Sequence, residues 1–106
     1  MPIYQPLVGG RIVWQTVTGA TNAIAGTGYM CNTSGAGFTV TLPAAANVGD
    51  NIEFADAASS FDTKNLVIAR NGLKIMGLTA DMTVDVKDSS FALVYASAAL
   101  GWRLAT

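Results

Sequence analysis

Short runs of alternating apolar and polar residues, separated by turn residues, fill the chain from Gly28 onward. Phe38-Thr39-Val40-Thr41-Leu42 alternates with the period of two expected of a half-buried strand, and Pro43 ends it. Ala44 to Asp50 reads as a loop, Asn51-Ile52-Glu53-Phe54 alternates again, and the small and polar residues 55–64 read as a second loop. Leu66-Val67-Ile68-Ala69 is apolar on both faces, which predicts cover on both sides. Asn71-Gly72 supplies the two residues tolerant of positive φ that a type I′ turn needs, so a hairpin is expected with Lys74-Ile75-Met76 as its return strand. Met82 to Lys87 alternates a third time, with Thr83, Asp85 and Lys87 as its polar face. After a turn at Asp88-Ser89-Ser90, Phe91-Ala92-Leu93-Val94-Tyr95 is the most hydrophobic strand and the expected centre of a sheet. A last turn leads into Trp102-Arg103-Leu104.

Apolar residues nowhere recur at helical spacing over three turns, and single helical turns at 44–47 or 96–100 are the most helix the pattern allows. The first twenty residues have another texture. Pro2, Pro6, Gly9, Gly10 and Gly19 stand among Ile3, Tyr4, Leu7, Val8, Ile12, Val13 and Trp14. The prolines disfavour helix and favour extended chain. Residues 1–10 are expected to form an extended N-terminal arm, with Pro2, Ile3, Tyr4, Leu7 and Val8 as its assembly contacts, and residues 11–18 a strand. Many strands at spacings near ten residues define the expected fold as all-β, a small antiparallel β-sandwich or barrel spanning residues 11–106 as one domain.

Composition adds one constraint. Only 12% of the 106 residues are charged and 51% are hydrophobic, seventeen of the latter being Ala. Soluble domains carry about 25% charged residues, and small ones bury only about 60–70% of the surface their unfolded chains expose. The chain is therefore expected to cover part of its outside with other protein. The net charge is −1 and the six basic residues are scattered, which argues against nucleic acid as a partner. The longest apolar stretch, Phe91 to Trp102, falls short of the roughly 20 residues of a membrane helix, and no secretory signal pattern precedes it.

Candidate chemistry is sparse. The absence of histidine removes Ser-His-Asp and Cys-His catalysis and the usual zinc sites. Gly26-Thr27-Gly28 lacks the further glycine of a phosphate-binding loop and reads as a turn. Glu53, Asp56, Asp81 and Asp85 are the carboxylates from which a glycosidase-type pair could be drawn; solvated side chains are the simpler reading. Asp50, Asp56 and Asp62 flank loops without the dense spacing of a calcium loop. Cys31 reads as a small buried hydrophobe rather than a reactive thiol. Asn32-Thr33-Ser34 matches a glycosylation sequon by composition alone. Trp14, Tyr29, Tyr95 and Trp102 could line a sugar-binding face; burial in a core or an interface is the alternative. No catalytic residue, cofactor or metal is expected.

A resemblance gathers several of these residues. Phe38–Pro43, Val48-Gly49-Asp50, Ile52, Phe54 and Asp56 are followed by Asn65-Leu66-Val67-Ile68, Arg70-Asn71-Gly72, Ile75, Gly77-Leu78 and Asp81. Leu93-Val94-Tyr95 and Gly101-Trp102-Arg103 complete the set. Together they resemble a β-rich module of tailed-bacteriophage structural proteins, found in tail fibres and in neck or head appendages. The resemblance covers Gly28 to Leu104 and rests on turn and core residues. It implies a virion protein, not an enzyme, that assembles as a homotrimer with the major capsid protein or another virion protein as partner, without nucleic acid or membrane. The short lead ahead of the module favours a capsid decoration, or cement, protein. A tail-fibre or appendage module that binds host-surface glycans is the alternative.

Overall fold

A computed structural model describes residues 12–105. The proposed arm contacts Pro2, Ile3, Tyr4, Leu7 and Val8 lie outside the described residues. Within them the fold is all-β. Its strands are β1 (Val13–Val17), β2 (Thr21–Asn22), β3 (Thr27–Cys31), β4 (Phe38–Thr41), β5 (Asn51–Asp56), β6 (Leu66–Ala69), β7 (Met82–Val84), β8 (Ser90–Ser97) and β9 (Gly101–Ala105). They form two mixed sheets, one ordered β1-β3-β5-β8-β9 and the other β2-β4-β6-β7.

The expected antiparallel architecture fails for the first half of the chain. From β1 to β6 successive strands alternate between the sheets, and each pairs in parallel with the next strand of its own sheet. The chain therefore winds in coils, one strand of each sheet per turn. The β1–β3 register runs from Val13↔Thr27 to Val17↔Cys31. The antiparallel pairs are those added by the last three strands: β7 on β6, β8 on β5 and β9 on β8. The physical reason is that alternation reports which face of a strand is buried and nothing about its partner. A parallel pair needs a long crossover, and here the strand of the opposite sheet supplies it.

The Asn71-Gly72 turn corrects a second expectation. Both residues have positive φ, 54° and 93°, and Leu73 N–H donates to Arg70 O, so the turn forms. The return strand does not. β6 takes β7 as its antiparallel neighbour, while Ile75 bridges to Trp102 on β9. The outer position beside β6 is filled by a segment that arrives later in the chain. β8 is interior rather than central, since β5 occupies the middle of the five-stranded sheet. Residues 44–47 and 96–100 form bends, turn and strand end instead of helical turns.

The inward rows of both sheets contribute to one core. Registered across three strands, Tyr29, Phe54 and Phe91 form a stacked aromatic ladder with centroid separations of 6.1 and 5.4 Å. Tyr95 meets Trp102 edge-on at 5.4 Å. Ile52 and Leu93 pair beside them, and the other sheet supplies Val40, Leu42, Leu66, Ile68 and Val84. Val67 and Ala69, expected to be covered, are half-buried.

The two ends of this stack are finished differently. At the late end, residues 74–78 lie along β9: Trp102 N–H donates to Lys74 O at 2.8 Å and Met76 N–H to Trp102 O at 2.7 Å. Gly101, with φ 70°, lets that segment approach, since a Cβ there would run into the Lys74 carbonyl. At the early end, β1 and β2 are the last strands of their sheets among the described residues, and no antiparallel element closes them.

Candidate functional site

The four candidate carboxylates do not converge on a pair. Asp56 ends β5 and accepts backbone N–H bonds from Ala58, Ser60, Phe61 and Asp88 at 3.0–3.4 Å. Burial raises its pKa, but the four N–H donors outweigh this and hold the carboxyl below its ordinary value. The carboxylate ties residues 57–61 to the turn before β8. Asp88, at φ 64°, also accepts a hydrogen bond from the Ser59 hydroxyl. Asp81 accepts the Arg70 N–H at 2.9 Å and closes the base of the 70–81 excursion. Asp85 is exposed after β7, and Glu53 sits half-buried in β5 with its neighbours Ile52 and Phe54 turned inward. Asp50 accepts the Asn47 N–H at 2.9 Å. No cluster of three potential metal-ligating groups forms among the described residues.

Three of the four candidate aromatics belong to the core. Tyr29, Tyr95 and Trp102 are buried, with the Tyr29 hydroxyl accepting the Ile24 N–H at 2.8 Å. Trp14 alone remains partly open, at 42% exposure, its indole lying over Gly28 where any side chain would collide with it. Cys31 ends β3 and is buried, and burial, helped by the Asp56 charge, pushes its thiol up to about 12, so a thiolate is unavailable near neutrality. In the sequon, the Asn32 side chain accepts from the backbone N–H and hydroxyl of Ser34, and Thr33 is buried against Ser60 with 2.7 Å between hydroxyls. Gly26, at φ 83°, turns the chain into β3.

What the structure does assemble is surface. Every charged residue except Arg11 lies at Asp50 or later, so the 38 positions from Ile12 to Gly49 carry no charge. Those positions build β1 to β4 and the open end of the stack. There Val13 is 70% and Ile24 65% exposed. This uneven spacing of charge could have been read from the sequence, but its meaning depends on the coil order, which places the uncharged strands together at one end. At the other end, Met82, Val84, Val86, Phe91 and Leu104 line an apolar groove of about 290 Å³ between the sheet edges, beside the exposed Asp85.

No family model and no curated protein matches the chain.

Proposed function

We propose that the chain is a structural protein of a bacteriophage virion, a decoration protein that binds an assembled capsid as an oligomer and stabilises it. The observation that carries this reading is the charge-free, uncapped end of the stack, with Val13, Trp14 and Ile24 open on strands that have no covering neighbour among the described residues. Exposed apolar surface next to unpaired strand edges promotes association unless charge or a cap prevents it. The polar groups with chemical potential favour the same reading. Asp56 and Asp81 are engaged by backbone N–H groups and Cys31 is buried. The virion location, the capsid partner and the three-fold oligomer come from the sequence resemblance. A ligand present only on the assembled shell stabilises it by mass action, RT ln(1 + [L]/Kd). Pro2, Ile3, Tyr4, Leu7 and Val8 are the proposed contacts with the shell. The glycan-binding alternative has less support, because Tyr29, Tyr95 and Trp102 are committed to the core.

Immunogold labelling of gradient-purified particles from the genome that encodes this chain tests the reading. Regular label over the capsid is expected. Label confined to tail tips moves the protein to the glycan-binding alternative, and absence of the chain from purified particles ends the virion assignment.

A further inference from the structure

We propose that the open end of the stack pairs with the open end of a second copy, β1 against β1 across a two-fold axis. Among the described residues the backbone of β1 is half-used. Val13 N–H donates to Gly26 O, and Val17 O accepts the Asn32 N–H, so residues 13, 15 and 17 turn their backbone groups toward β3. In a parallel ladder alternate residues face opposite sides, so Trp14 and Thr16 aim their N–H and C=O groups at the free edge. An axis through Gln15 and normal to the sheet sets the two edges antiparallel. Trp14 then lies opposite the copy's Thr16, and each such pair exchanges two backbone hydrogen bonds.

Three observations select a second copy of this chain as the occupant. First, a self-facing surface must not repel itself, and no charge lies between Ile12 and Gly49. Charged edges are the common defence against such pairing, and this edge has none. Second, Gln15 and Thr16 are exposed, leaving their polar side chains free at the axis. Third, pairing of identical patches closes after two subunits, which caps both stacks without starting a fibre. The five-stranded sheet would continue into its copy as ten strands. This contact uses an end of the stack and stands independently of any shell or of a three-fold contact elsewhere on the molecule.

The test is a concentration series of the full chain by analytical ultracentrifugation and light scattering, with amide exchange read at Trp14 and Thr16. Two variants accompany it. Thr16→Pro removes a donor that no ladder among the described residues uses, and Gln15→Lys places like charges across the axis. The wild-type mass is expected to fall two-fold on dilution, with the two amides losing protection over the same range. Both variants are expected to show half the wild-type mass at concentrations where the wild type associates, with unchanged melting when each is diluted. If Thr16→Pro unfolds, Gln15→Lys decides. Variants that keep the wild-type mass overturn the proposal. So does protection of the Trp14 and Thr16 amides at dilutions where the mass is that of one subunit, which would assign the edge to the chain's own residues 1–11. A wild type whose mass never changes, with both amides exposed throughout, overturns it as well.

Discussion

At one end of this molecule two parallel strands, β1 and β2, close their sheets with no charge on either strand and no cap among the described residues. At the other, antiparallel strands, the 74–78 segment and most of the ionic residues finish the same two sheets. Both ends face the same problem, since a terminal strand exposes backbone donors and acceptors and the apolar rows beneath it. The late end solves it within the subunit. Lys74 and Met76 bond to Trp102 on β9 and Gly77 to Leu100 just before it, Asp56 gathers four N–H groups below β8, and Asp81 closes the intervening loop. The early end leaves it open. In stacked-coil architectures, a terminus without a polar cap is where another surface belongs. The difference is what makes the early end the proposed interaction surface.

If the late end holds the fold together and the early end serves association, substitutions should separate along that line. The largest loss is expected from Trp102→Ala, which empties a fully buried site against Tyr95 and should cost about 3–5 kcal/mol in chemical denaturation. Trp102→Phe should cost much less, because the buried indole N–H has no acceptor among the described residues. Next comes Gly101→Ala. It combines strain at positive φ with a backbone collision at Lys74, and should cost about 2–4 kcal/mol.

Asp56→Ala frees four N–H groups and should cost about 1–2 kcal/mol, the range of a lost capping carboxylate. The pH profile sharpens this. The folded-state pKa of Asp56 is lowered, so its contribution is complete above the unfolded carboxylate value and disappears as pH falls through the folded value. Asp56→Asn should remove that part of the acid sensitivity, measured as midpoint against pH. Cys31 acts at the other extreme. Its thiol keeps its proton to about pH 12 when folded, whereas the unfolded chain loses it near the ordinary value of 9.0. The unfolded state thus binds fewer protons, and stability should fall as pH rises from about 9 toward 12. Cys31→Ala should flatten that decline, and folded protein should leave Cys31 unlabelled by an alkylating reagent until denaturant is added.

The smallest effects on subunit stability are expected at the open end. Trp14→Ala should cost about 1 kcal/mol, because the ring is only half covered. Val13→Lys should stay within about 0.5 kcal/mol, as exposed positions do. Both should weaken association measured by light scattering. If either unfolds the subunit as severely as Gly101→Ala, the two ends do not differ in kind.

Much of the strand pattern was legible because a strand with one buried face must alternate. Phe38–Thr41 lies where the alternation places it, β5 starts where Asn51-Ile52-Glu53-Phe54 alternates but runs on through Ala55 and Asp56, which read as loop, and the Asn71-Gly72 turn forms because both residues accept positive φ. The alternation of Met82 to Lys87 overran β7, which stops at Val84, since nothing pairs with the exposed residues beyond it. The candidate residues were less legible. Asp56 reads as one of several loop carboxylates until the fold brings Ser60, Phe61 and Asp88 around it, the last 32 positions away.

By itself the amino-acid order determined the all-β class, the inward rows and a charge-free run from Ile12 to Gly49 ahead of an ionic remainder. Only the tertiary structure decided that β1 to β6 pair in parallel across coils, that Ile75 belongs to β9 rather than to β6, and that the uncharged strands meet at one end, uncapped among the described residues. Face selection is a local consequence of side-chain periodicity. The choice of partner strand depends on backbone hydrogen bonds between residues distant in the chain, and those bonds carry no side-chain signature.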